Sequence, residues 1–532
     1  MSDGPLDLRL VPAAAAGWLV CGLGIAAPAS RLSAAAAVVL VVGLMVVVGL
    51  MVAGLPRGAG GSILLLLAVV AAALASCAAQ VAVRDGGILG SALRERAVAT
   101  VEGTVAAEVV GAPSVGPGSG HGSAPARVRT VLAVQRVAAH GHAGTASAPV
   151  MVTGGAEWAG VEYGSRVRVS GRLAPVPAGD AMEGALTTWG PVEVLDGPGQ
   201  IDAAVDALRS SLMAASDHLP PDGRGLVPGA AIGDVSRVPD DLTAAMRTVG
   251  LTHVTAVSGS HFALLAGAVL SVTGALRLPR AARAGVTTLT IGALVLLVHP
   301  QPSVVRAAVM GVVGCIGLLV GRRAKAVSGL CVAVILLLVL DPWLSRSLGF
   351  VLSVVATAAI VLLGPRLAHA LARWLPRWLA DGLAVPVAAQ VACAPVVVLI
   401  SPAVSIYAIP ANLLAAPALV PTTLLGVAAT LVAGWWPAAG RLLCNGAGAA
   451  AWWVASVART GAAMPGATLP WHDHLLGAVA LLALDAAAVV ALLGGGRLRR
   501  ERRPGLLLVT AALAVLLLPG SRFLLVALLA RA

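Results

Sequence analysis

Between Gly250 and Leu265 the sequence reads GLTHVTAVSGSHFALL, and six of the ten residues from Thr252 to His261 carry a hydroxyl or an imidazole. Three chemistries fit them. Ser258, followed by Gly259, with His261 or His253 nearby, has the residue types of a nucleophile and its base, although a hydrolase also needs contact between the two and an oxyanion site. A hydrophilic face on a membrane bundle would instead wall a water-accessible path. In the plainest case the hydroxyls bond back to helix carbonyls and the imidazoles pack neutrally between helices. That suffices for any one of these residues. Six together favour the path, because each uncompensated polar group in hydrocarbon costs several kcal/mol.

The elements that must hold this segment are membrane helices. The chain has 532 residues, 58% hydrophobic and 11% charged, which places it among polytopic membrane proteins. Apolar runs mark spans near 11–29, 34–55, 62–83, 255–276, 284–298, 303–320, 326–340, 347–364, 382–400, 421–435, 441–458, 475–494 and 505–519, about 13 in all. IYAIPANLLAAPALVP, with Pro410 and Pro417 bracketing Asn412, predicts a broken or re-entrant element. Further polar residues extend the path: Arg306 early in its run, Ser353 in GFVLS, Gln390 and Asn412.

The formal charge of +12 reports orientation rather than a nucleic-acid surface. Its sources are Arg277, Arg280 and Arg283; Arg322, Arg323 and Lys325; Arg366, Arg373 and Arg377; and RLRRERR at 497–503, set against Asp381 and Glu501. Short basic loops of this kind lie on the cytoplasmic side of a plasma (inner) membrane. The N-terminus is then cytoplasmic and residues 85–250 are extracytoplasmic. MSDGPLDLRL lacks the basic start and cleavage site of a removable signal peptide, so the first run is expected to be retained. The stripes of residues 366–378 predict an interfacial helix with a bend at Pro376. The six cysteines stand singly in apolar runs and read as core residues, so no metal or cofactor is expected.

Residues 85–200 differ in kind. SRVRVSGRL alternates strictly, and TVEGTVAAEVV, ARVRTVLAVQRV and PVMVTGG add short strands between Gly-, Pro- and Ser-rich breakers such as GAPSVGPGSGHGSAPA. About five strands in a hundred residues predict a small β-barrel, with the oligonucleotide-binding (OB) barrel as one candidate. Arg127, Arg129, Arg166, Arg168 and Arg172 have the charge to track a phosphate backbone. The region also carries more acidic than basic residues and few aromatics for base stacking, which favours solvated strand faces. The domain reading is therefore 1–84, three spans; 85–200, β domain; 201–250, amphipathic helical connector; 251–435, a transmembrane core; and 436–532, further spans.

GLTHVTAVSGSHFALL, preceded by AAIGDVSRVPDDLTAAMRTVG and followed by PSVVRAAVMG, DPWLSRSLGFVLSVVAT and AAQVACAPVVVLISPAVSIYAIPANLLAAP, resembles the ComEC-type competence proteins, a family of inner-membrane DNA-uptake channels. The ordered blocks cover Gly229 to Pro417. The resemblance implies passage of single-stranded DNA into the cytoplasm during transformation. It assigns Asp234, Gly250, His253, Ser258, Gly259, His261, Arg306, Gly349, Ser353 and Asn412 to the competence domain. It also implies partners: a DNA receptor, a separate nuclease, a cytoplasmic motor and, for a channel, further copies of the chain. Two departures stand out. Ser260 replaces the usual Leu of S-G-L-H, and the metallo-β-lactamase-like domain of many members is not found before Ala532. The WHDH at 471–474 lacks the spacing of a metal site.

The expected function is thus a DNA channel rather than an enzyme. The alternatives are an intramembrane hydrolase using Ser258 and His261, and a small-solute or lipid transporter, for which no inverted repeat is detected. No Walker motif is present, so energy for movement comes from elsewhere.

Overall fold

The alternating segments form strands whose inward side chains build one core. In the computed structural model, residues 8–52, 57–111, 127–158, 160–177, 180–255, 257–299, 302–319 and 326–493 are described. The last expected span, RLRRERR, Arg322, Arg323, Lys325 and most of the Gly/Ser-rich breaker lie outside them. Seven strands follow in order: β1 (Val98–Val105), β2 (Val110–Gly111), β3 (Val128–Ala139), β4 (His142–Gly154), β5 (Arg166–Pro175), β6 (Gly184–Thr188) and β7 (Glu193–Asp196). Five of them close on themselves through the pairings β1–β3–β4–β6–β5–β1, in which β4–β6 is parallel and the rest antiparallel.

Alternate residues Val101, Leu132, Val150, Val167, Val169, Leu173 and Leu186 point inward and are buried, as the two-residue period requires. Trp158 fills one part of this core at 0% exposure, and its indole N–H donates to Thr188 Oγ1 at 3.0 Å. Gly154 makes the room, since a Cβ there would lie 2.2 Å from the indole.

The chain divides into two compact units, one of Met1–Leu208 with Thr288–Phe350, the other of Arg209–Thr287 with Val351–Ala532. In the first, the strands are seated on helices. The His299 ring stacks on Tyr163 at 3.9 Å and lies 3.2 Å from Glu108 and 3.6 Å from Asp206. Arg84, ending an apolar helix, lies over the Trp343 ring at 3.4 Å and 3.6 Å from Glu183.

Among the described residues the fold is mostly helical, with seven helices long and apolar enough to cross a membrane, the make-up of a polytopic membrane protein. They contain Ala29–Val46, Gly61–Arg84, Arg280–Val298, Leu348–Leu371, Arg377–Val397, Ala408–Val432 and Leu475–Leu493. Shorter apolar helices cover Val11–Gly24, Gly259–Ala275, Ser303–Leu319 and Ala326–Leu340. The Pro437–Ala463 helix, expected as a span, buries a face of small residues including Gly440, Ala447, Gly448 and Ala451. Such faces let helix backbones approach closely. Five cysteines are buried and Cys393 is half-buried, all as free thiols.

Two sequence expectations need correction. The predicted break around Asn412 is absent: Ala408–Val432 is one helix of 25 residues, with Pro417 and Pro421 inside it. Pro410 falls in the first turn, where an amide N–H has no partner within the helix to lose. The buried faces of Ala411, Ala415 and Ala418 hold the rest. The predicted interfacial helix over 366–378 is also absent. The Leu348–Leu371 helix carries its first part, the chain turns, and Pro376 caps the Arg377–Val397 helix. A residue before proline disfavours helix, which explains the turn. Leu367 is fully buried, while Trp374 in the turn and Trp378 just after it are exposed.

Candidate functional site

The polar segment sits where four elements of the second unit meet. The Pro221–Ile232 helix passes beneath it at Gly229, where a Cβ would lie 2.3 Å from the Thr255 carbonyl oxygen. The Asp240–Thr248 helix leads in, burying Leu242 and Met246 at the spacing the sequence predicts, and ends at Gly250, which has φ of +70°. That left-handed turn suits glycine. A Cβ there would also stand 3.1 Å from the Ala408 Cβ of the Ala408–Val432 helix.

After this turn the chain makes one short helix, Thr252–Thr255, and then starts Gly259–Ala275. Ser258 is the extended residue before that helix, and His261 occupies its third position. The Ser258 backbone N–H donates to His261 Nδ1 at 3.0 Å, and the Ser258 hydroxyl lies 3.1 Å from the same nitrogen and 2.8 Å from Ser260 Oγ. An imidazole whose Nδ1 accepts carries its proton on Nε2. Nε2 is buried without a hydrogen-bond partner among the described residues, and His261 is 1% exposed. This reciprocal arrangement satisfies amides at the helix start, with His in the place Glu or Gln takes in a capping box.

Sidedness is the informative feature. Leu251, Val254, Val257 and Phe262 are buried, whereas Thr252, His253, Gly259 and Ser260 are exposed and Thr255 and Ser258 are half-buried. The segment therefore turns its apolar side chains into the protein and displays most of its hydrophilic ones. Asn412 joins the group. Its Nδ2 donates to Ala408 O at 2.8 Å and stands 3.5 Å from Gly250 O.

The other predicted residues separate from this group. Ser353 and Gln390 are half-buried on neighbouring helices that meet where Cys393 Sγ donates to Leu352 O at 3.7 Å. Asp234 folds a loop, its Oδ1 accepting from the Ser236 N–H at 2.9 Å and hydroxyl at 2.6 Å. Arg306 belongs to the first unit. It is 5% exposed, donates from Nη2 to Gly349 O at 3.0 Å, lies 5.7 Å from the Phe350 ring and has a buried Nε without a partner.

The strand arginines divide as well. Arg168 bonds Glu102 at 2.7 Å and Glu193 at 2.9 Å, and Arg166 lies 3.7 Å from Glu102 and 3.6 Å from Asp196. The Arg168 hydrogen bond, supported by Arg136 and Arg166, holds the Glu102 carboxyl below its ordinary range. Arg127, Arg129 and Arg172 are exposed and make no ion pair with the described residues.

Sequence reasoning missed one anchoring cluster. Arg459, ending an apolar helix, bonds Asp222 through Nη1 and Nη2 (2.9 Å for Nη2) and Asp241 through Nε and Nη2 at 3.1 and 2.7 Å. These bonds raise the guanidinium above its usual range and lower the Asp241 carboxyl. Asp222 and Asp241 each fall in the first turn of a short helix within the 201–250 connector.

A 157-residue stretch is 30% identical to ComE operon protein 3 of Bacillus subtilis (strain 168), covering 29% of this chain and 20% of that protein. No solved structure matches the chain. The family model described as Competence protein matches residues 231–497, which include His253, Ser258, His261, Ser353, Gln390 and Asn412. That match extends over half of the sequence, and the chain belongs to the competence protein family.

Proposed function

We propose that the protein is a plasma-membrane channel that carries single-stranded DNA into the cytoplasm during natural transformation. The observation that carries this reading is the sidedness of Thr252–Ser260 inside the family-matched region: hydrophilic groups displayed, apolar groups buried. Exposed hydroxyls, imidazole and amides next to Asn412 form a wettable surface at the head of an apolar helix, and in a membrane protein such surfaces line aqueous paths. Ser353 and Gln390, half-buried on a neighbouring helix pair of the same unit, are a second set of polar side chains within the matched region.

In this reading the N-terminus is cytoplasmic and the strand region lies outside. The closed order β1–β3–β4–β6–β5, with its one parallel pairing, supports an OB-like barrel. Arg127, Arg129 and Arg172, free of ion pairs among the described residues, are then the cations left for a phosphate backbone. Arg166 and Arg168 are neutralised by Glu102 together with Asp196 and Glu193. A DNA receptor, a nuclease, a motor and further copies of the chain complete the system as separate partners.

Deleting the gene and scoring uptake of marked DNA tests the role, and undiminished transformation removes it. A finer test introduces single cysteines at Thr252, His253 and Ser260. Membrane-impermeant thiol reagents should label them, against a low background because five native cysteines are buried. Protection of all three in every functional state would remove the aqueous path.

One observation favours a second reading, an intramembrane hydrolase: the 3.1 Å approach of Ser258 Oγ to His261 Nδ1. The same nitrogen already accepts the Ser258 N–H, and no carboxylate orients Nε2 among the described residues. Reaction of Ser258 with a fluorophosphonate probe would establish a nucleophile; an unlabelled Ser258 discards it.

A further inference from the structure

The Leu475–Leu493 helix has a mean hydropathy of 2.5 and a single ionisable side chain, Asp485. It is the eleventh of nineteen residues, about 15 Å along the axis from Leu475 and about 12 Å from Leu493. Its Oδ2 is buried and has no hydrogen-bond partner, and neither oxygen has an ion pair among the described residues. Carboxylates inside membrane helices are rare, and they mark ion or proton pathways unless a neighbouring cation or donor accounts for them. Here neither does.

The surroundings sharpen the point. On one side of Asp485 the helix packs through Ala478, Leu481 and Leu484 against Ala394, Val398, Val404 and Trp471. On the other, Leu493 joins the cluster around Leu367, Ala384 and Ala388. Among the described residues none of the ionisable groups on these packed elements, Arg366 and His369 of the Leu348–Leu371 helix included, forms a hydrogen bond or ion pair with the buried Oδ2 of Asp485. Arg373 donates from Nη2 to Leu492 O at 2.8 Å, at the far end of the helix. Arg377 and Asp381 open the Arg377–Val397 helix, whose Cys393 thiol bonds Leu352 O. His472, Asp473 and His474 precede the near end, with His474 3.1 Å from Asp473. Asp485 thus lies between a titratable cluster at one end of the helix and a cationic one at the other.

We propose that Asp485 is a proton carrier that couples inward proton movement to transport by this chain. The inference rests on the translocation reading above. In each cycle the carboxylate takes one proton from the outer solution, becoming a neutral acid, and releases it to the cytoplasmic side. Only an O–H bond forms and breaks, and the transmembrane proton gradient supplies the energy.

The test uses the full chain in liposomes containing a pH-sensitive dye, with the outer solution acidified. Wild type should admit protons, Asp485→Asn should reduce the rate at least ten-fold, and Asp485→Glu should restore most of it. Equal rates for wild type and Asp485→Asn would overturn the proposal. A second measurement needs no variant. Dicyclohexylcarbodiimide, which attacks protonated carboxyls in apolar surroundings, should modify Asp485 in the wild-type protein, and absence of the adduct at every pH would overturn it equally. In cells making normal amounts of membrane-inserted Asp485→Asn, marked-DNA uptake should fall ten-fold or more. Wild-type uptake by this variant, in a strain where gene deletion abolishes uptake, sinks the coupling role and leaves the channel reading standing. Uptake that survives deletion sinks the channel reading, while the liposome assay still decides proton carriage.

Discussion

Gly250 shows how much of the site depends on single atoms. Its φ of +70° strains any side chain, and a Cβ there would stand 3.1 Å from the Ala408 Cβ, close enough that the neighbouring helix must give. An alanine there adopts the left-handed conformation at a cost of about 1–2 kcal/mol, and crowds the neighbouring helix as well. Gly250→Ala should therefore lower the Tm of the detergent-purified protein and shift Thr252–Ser260, read out as changed thiol labelling at Ser260→Cys. At Ser258 and His261 the reciprocal bonds predict a different outcome. His261→Ala removes an acceptor for the helix-start amide and should cost about 1 kcal/mol, the usual range for a lost cap. His261→Gln, which keeps an acceptor, should recover part of the Tm. The polar residues themselves were plain in the sequence. Their sidedness was not, because it follows from a glycine turn and a separate four-residue helix that apolar periodicity does not distinguish from one continuous span.

At the level of elements, Arg459 ties two connector helices to the Pro437–Ala463 helix. Its fork engages both carboxylates, so Arg459→Lys, which keeps the charge and loses the fork, should lower the Tm, and Arg459→Met should lower it further. The Asp241 carboxyl is held below its ordinary range. The bridge's contribution is therefore complete above that range and fades as pH falls through the lowered value. Strands and long helices were legible because periods of two and 3.6 dominate their sequences. Pro410 and Pro417 misled because a proline in a first turn costs no internal bond, and the two interior prolines are carried by a tightly packed face of small residues. Pro376 erred in the opposite direction, ending one helix and starting another where a single bent helix was expected. Arg459 was invisible for a simpler reason: its partners lie more than 200 positions away in sequence.

For the whole molecule, acid should weaken the strand region through one carboxylate. Glu102 is bonded by Arg168, with Arg136 and Arg166 nearby, and its carboxyl is held low. A depressed carboxyl stabilises the folded state fully above its unfolded value and loses that effect as pH falls through the folded one. Thermal unfolding followed by the environment of Trp158 should show wild type and Glu102→Gln converging as pH falls through the lowered Glu102 value, with wild type the more stable at neutrality.

The closure of β1, β3, β4, β6 and β5 carries one further consequence. Each member of that circle pairs with a strand on both flanks, β4 through Val150–Thr153 on one of them, and the strands outside the circle, β2 and β7, have two and four residues. Stretches so short make poor templates for an arriving polypeptide. A visitor gains little purchase by zippering its own main chain alongside β2 or β7, so selectivity at those borders falls to side chains and connecting loops.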